Sequence, residues 1–113
     1  MYRDAKPIPG SVIYLSHGGG PLPLLGDKSH QEMIDIIKEM AQIIPKPKAI
    51  VVISAHWEAQ YPTITSGAFP SLIYDYYGFP KESYEITYPA PGASDLAQQL
   101  FYLLIKLICL SNF

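Results

Sequence analysis

Two apolar, β-branched runs that each end in a histidine constrain this chain most. Ser11–Ser16 leads into His17 and the turn Gly18-Gly19-Gly20, and Ala49–Ser54 leads into Ala55, His56 and the only tryptophan, Trp57. Both runs are continuously apolar rather than alternating, the pattern of a strand covered on both faces. Between them Met33, Ile36, Ile37, Met40, Ile43 and Ile44 fall on one face at helical spacing. Ser29 and Glu32 have the spacing of a capping box, and Pro45 and Pro47 stop the helix. Strand, helix and strand predict a βαβ unit with parallel strands and a right-handed crossover. Ligands in such sheets bind beyond the carboxyl ends of the strands, where His17 and His56 both fall.

The remaining segments are shorter. Pro62–Ser66 and Tyr84–Tyr88 alternate and read as further strands, separated by an aromatic-rich connection over 67–83. A connection of that length inside a compact domain points to function. Pro89–Gly92 is a turn, after which Ser94 caps a second helix with Asp95 in its first turn. From Leu100 the helix reads LFYLLIKLICL, apolar on nearly every face, so it needs cover all round. Self-association through this helix is one way to supply that cover.

Composition narrows the classes. The chain has 113 residues, one domain at most, and is 49% hydrophobic and 16% charged, enough apolar content for a core. A net charge of −2 without a basic stripe argues against nucleic acid. Cys109 is the only cysteine, which rules out an internal disulfide and fits a reducing, cytoplasmic setting. Residues 1–10 carry charges and prolines and read as a lead-in rather than a signal peptide. The apolar stretch Leu100–Leu110 is too short to span a bilayer, which takes roughly 20 residues.

A neutral imidazole suits iron or zinc, so His17 and His56 are the candidate metal ligands. The alternative for each is a turn histidine bonded to backbone. The carboxylates Glu58 and Asp75 are candidates to orient a ligand histidine, with substitution as a third ligand as the alternative for either. Trp57, Tyr74 and Tyr77 are the candidate walls for an aromatic substrate, against the alternative of packing beneath a long loop. His30, in the first helical turn, reads as a surface residue. The three glycines lack the spacing of a phosphate loop and read as places where backbone approaches metal and substrate closely.

LSHGGGP at 15–21, VVISAHWEA at 51–59 and YDYYGFPKESYEITYPAPG at 74–92 together resemble the class III extradiol ring-cleavage dioxygenases, in the branch similar to DOPA 4,5-dioxygenases. The resemblance covers roughly residues 11–99. It implies an α/β fold, a three-layer α/β/α domain around a mostly parallel central sheet, of which residues 1–113 would be the N-terminal part. It implies an oxidoreductase that opens a small catechol-type ring with dioxygen on a non-haem metal, Fe(II) by expectation and Zn(II) as the alternative. By the same resemblance His17 and His56 are metal ligands. The third ligand and an acid–base histidine come from the family's second half, for which this chain has no counterpart. The family's helix at this point is amphipathic and leads to another strand, whereas residues 100–113 form a divergent apolar tail. The chain therefore reads as a truncated version of such an enzyme. The competing reading is a non-catalytic fragment that binds a partner or, weakly, a metal.

Overall fold

The structure, a computed structural model, describes residues 10–110. Most of the expected lead-in (1–9) and the end of the apolar tail (111–113) lie outside the described residues. Those that are described form two helices, three short 3-10 turns and long irregular segments. Helix α1 is Gln31–Ile43 and helix α2 is Ser94–Leu110; the 3-10 turns are Leu22–Leu25, Lys28–His30 and Lys81–Tyr84.

The expected parallel sheet is corrected by this structure: among the described residues none lies in a strand. Ser11–Ser16, Ala49–Ser54, Pro62–Ser66 and residues 85–88 run without a ladder, so the α/β/α layering is absent from the described residues. The physical reason lies in exposure. A parallel strand is held by neighbours on its edges and by helices over both faces. Here Val12 is 100% exposed and Ile53 94% exposed, so the apolar runs lack the cover that gives such pairing its stability. Apolar periodicity sets a segment's preference, but pairing has to come from elsewhere in the chain.

The described residues divide into two compact units. The first comprises the residues through Lys48 together with Tyr76–Glu85. Of the apolar face the spacing predicts for α1, Met33, Ile37, Met40 and Ile44 are half-buried, whereas Ile36 and Ile43 are exposed. Ile44 turns extended at the helix end, as the residue before a proline must, and its N–H closes the last turn on the Met40 carbonyl at 3.0 Å. The start differs from the capping-box expectation. Neither Ser29 nor any other side chain caps α1, whose N-cap position is His30; Asp27 caps the 3-10 turn ahead of it, its carboxylate accepting the Ser29 N–H at 3.1 Å. An Asp side chain two residues ahead of a free N–H makes this turn locally, before the helix begins. Residues 76–85 fold on themselves. The Tyr76 ring meets Phe79 edge-on at 5.5 Å and Tyr84 at 5.4 Å, and its hydroxyl donates to the carbonyl of the fully buried Ser83.

The second unit comprises Ala49–Asp75 and the residues from Ile86 on. Helix α2 begins with the Ala97 N–H on the Ala93 carbonyl at 2.9 Å. Ser94 is thus its first helical residue rather than its cap. The Ser94 hydroxyl instead donates to the Ser66 carbonyl at 2.8 Å, and the Gly92 N–H donates to Ala68 at the same distance. These bonds tie the helix start to the 66–68 segment. Ala97 is the buried apolar residue of the helix, while Phe101, Tyr102, Leu103 and Leu107 are exposed. Among the described residues no helix is long and apolar enough to cross a membrane.

Candidate metal-binding and substrate site

His17 and His56 lie in different units, His17 in the first and His56 in the second. Each is best built from its own turn.

His17 closes the first apolar run. Its Nδ1 donates to the Gly18 carbonyl at 2.8 Å. A carbonyl can only accept, so the proton sits on Nδ1 and Nε2 is the nitrogen that would address a metal. The glycines that follow approach a side chain, not open space: a Cβ on Gly18 would lie 2.7 Å from His30 Cδ2. His30 is therefore not the surface residue its place in the sequence suggested. Its side chain is 18% exposed, its Nε2 accepts the Gly19 N–H at 3.0 Å, and its Nδ1 meets Asp27 Oδ2 at 2.7 Å. The Ser29 hydroxyl also donates to Asp27. That bond, followed by the one from His30, holds the Asp27 carboxyl below the usual carboxylate range.

His56 closes the second run. Ser54 makes its turn: the hydroxyl oxygen accepts the His56 N–H at 3.1 Å and the Trp57 N–H at 3.3 Å. Asp75 Oδ2 stands 3.3 Å from His56 Nδ1. This is the arrangement in which a carboxylate fixes the tautomer of a ligand histidine. Both groups are half open to solvent, so the pair is an orienting contact more than a source of stability. Glu58, the other carboxylate considered, lines an open concavity with Trp57, Tyr61 and Thr63, to which His56 does not contribute. Of the aromatic candidates, Trp57 borders that concavity, Tyr74 spends its hydroxyl on the Ile86 carbonyl within the same unit, and Tyr77 belongs to the other unit, where it is 92% exposed.

Sequence reasoning missed Ser54, Asp27 and His30. Ser54 carried a signal, a serine two residues before a histidine at the end of an apolar run, the spacing of an ST turn. The contact of His30 with Gly19 spans eleven residues and carried none.

Residues 11–107 match the family described as the catalytic LigB subunit of aromatic ring-opening dioxygenase. The chain belongs to this family. Among curated relatives it is 51% identical to a protein named dioxygenase tasH from Hapsidospora irregularis, over 78% of this chain and 29% of that protein. It is 38% identical to proteins named 4,5-DOPA dioxygenase extradiol from Portulaca grandiflora and from Escherichia coli, over 82% of this chain and 34% and 33% of theirs. The chain thus spans about a third of the length of the relatives it matches. No solved structure matches it.

Extradiol dioxygenases of the LigB family depend on a metal. Taken one at a time, each imidazole is a donor of the kind such a metal takes: His17 has Nδ1 on the Gly18 carbonyl, and His56 has Nδ1 3.3 Å from Asp75. Among the described residues no group of three or more His, Cys, Asp or Glu is arranged to hold a metal ion.

Proposed function

We propose that this chain is the N-terminal part of the catalytic domain of an extradiol ring-opening dioxygenase, acting on a small catechol-type substrate with dioxygen. Family membership together with the His56–Asp75 pair carries this reading. Relatives that bear the name 4,5-DOPA dioxygenase extradiol make DOPA the first catechol to try. His17 and His56 are the metal-holding residues, each through Nε2. Fe(II) is the expected metal and Zn(II) the alternative; when bound, Fe(II) supplies electron transfer between the catechol and dioxygen. Asp75 orients the His56 ring by accepting from Nδ1. Ser54 fixes the turn that carries His56 and Trp57. Trp57, Tyr74 and Tyr77 are the aromatic residues assigned to the substrate ring, with Trp57 supported best by the concavity it borders. The single cysteine fits a cytoplasmic setting.

Metal titration of the wild-type chain against His17→Ala and His56→Ala tests the ligands. Each substitution is expected to weaken Zn(II) or anaerobic Fe(II) binding at least tenfold, and binding that ignores both would end the assignment. Oxygen uptake with DOPA, protocatechuate or catechol by Fe(II)-loaded protein extended by the second half of the catalytic domain tests the reaction class, and no uptake by that protein would end it.

A second reading has its own observation. The exposed apolar residues of α2 favour a partner-binding, non-catalytic role through self-association. Metal binding without oxygen uptake, accompanied by association, would favour it.

A further inference from the structure

We infer that His30 is a positioning residue for His17, acting through the single peptide plane between Gly18 and Gly19. The functional meaning of this device rests on the reading of His17 as a metal ligand; the geometry does not.

Three consecutive glycines have no side chains to hold a turn, and each is free to populate both signs of φ. Something outside the turn has to fix it. The Gly18 carbonyl and the Gly19 N–H belong to one planar trans peptide and point in opposite directions. On one side, the carbonyl accepts His17 Nδ1–H at 2.8 Å. On the other, the N–H donates to His30 Nε2 at 3.0 Å. The two imidazoles are therefore joined through one rigid plane, and rotation of that plane breaks both bonds together. His30 is fixed in turn. Because Nε2 accepts, its proton is on Nδ1 and is donated to Asp27 Oδ2 at 2.7 Å. Asp27 is held by the Ser29 N–H and hydroxyl in the 3-10 turn ahead of α1. The His30 ring also lies so close to Gly18 that a Cβ there would meet Cδ2 at 2.7 Å and Nε2 at 3.0 Å. Asp27, His30, the peptide and His17 thus form one hydrogen-bonded chain running from the 3-10 turn that precedes α1 to the His17 Nδ1. Its effect is to keep the His17 proton on Nδ1, so that Nε2 is presented in one tautomer and one orientation.

The test uses protein with 15N-labelled histidine in mildly alkaline buffer, where imidazoles are neutral. Wild type is expected to show the His17 ring as a single Nδ1–H tautomer. In His30→Ala the ring shifts should move toward the averaged values of an imidazole exchanging tautomers, with α1 unchanged by circular dichroism. His30→Gln, whose side-chain oxygen can accept the Gly19 N–H, should restore the wild-type signature, a rescue that a purely space-filling role would not give. Zn(II) affinity is expected to follow the same order, falling about 10–100-fold in His30→Ala and recovering in His30→Gln. A His17 signature in His30→Ala identical to wild type overturns the inference, as does a glutamine variant no better than alanine. Should the alanine variant fail to fold, His30→Phe keeps a ring against Gly18 while removing the acceptor, and it is held to the same outcomes. The metal reading fails separately: Zn(II) binding that is unaltered in His17→Ala removes the ligand assignment, while the tautomer measurement still decides the role of His30.

Discussion

At the scale of single residues, the turn between the first apolar run and α1 is held by charge and by absent side chains. Asp27 has a carboxyl pKa below its unfolded value because the Ser29 hydroxyl and then His30 bond to the charged form. A depressed pKa contributes stability that is fully present above the unfolded value, about 3.9, and is lost as pH falls toward the folded one. The order of this turn should therefore persist down to the ordinary carboxylate range and give way below it. The Gly19 amide resonance followed during acid titration checks this, and Asp27→Asn should abolish the acid limb. Gly20 gives the second prediction at this scale. Its φ is +54°, and a Cβ there would lie 2.8 Å from the Phe79 ring. Gly20→Ala combines a left-handed backbone penalty with crowding and should cost about 2–3 kcal/mol. Urea unfolding measures it, and Phe79→Leu in the same chain should recover the crowding part only.

At the scale of elements, what was legible in the sequence is what local spacing decides. Helix α1 follows from the half-buried Met33, Ile37 and Met40, and its end from Pro45, because both signals lie within one or two turns of the residues they govern. The strands did not follow. Val12 and Ile53 have the apolar, branched character of strand residues, but a ladder needs a second edge that periodicity cannot supply. The candidate site divides the same way. His17 and His56 were legible as the ends of their runs, and Asp75 as a carboxylate within reach. The bond from Gly19 to His30 was not, because the approach of a helix start to a glycine turn is tertiary. The Ser54 turn is the element whose removal is most informative. Its hydroxyl accepts two successive N–H groups, so Ser54→Ala leaves both without that partner. The expected cost is about 0.5–1.5 kcal/mol in stability, the net worth of such bonds in an exposed turn. Chemical-shift changes should centre on His56 and Trp57, and if they spread evenly over the second unit the turn is not what carries His56.

At the scale of the whole molecule, the decisive quantity is apolar surface without cover. Helix α2 exposes Phe101, Tyr102, Leu103, Leu107 and Ile108, with Leu107 63% exposed, and the first and second apolar runs add Val12, Val52 and Ile53. Single exposed apolar residues are ordinary on a protein surface, whereas a contiguous set is the mark of an interface or of aggregation. On α2 Leu103 and Leu107 share one face and Phe101 and Ile108 another, so the exposed apolar side chains stack over successive turns on more than one side. Lys106 is the only charge within Leu100–Leu110 and cannot screen both sides of a helix. The chain should therefore associate in a concentration-dependent way, seen as a rising mean sedimentation coefficient between low and high micromolar protein. Leu103→Glu with Leu107→Glu places two charges one turn apart on the first of these faces. Because both positions are exposed, the double variant should retain the helix signal in circular dichroism while losing most of the association. If association is equal in the two proteins, the surface responsible lies on the exposed apolar runs, and Val52→Lys with Ile53→Lys becomes the pair that must abolish it.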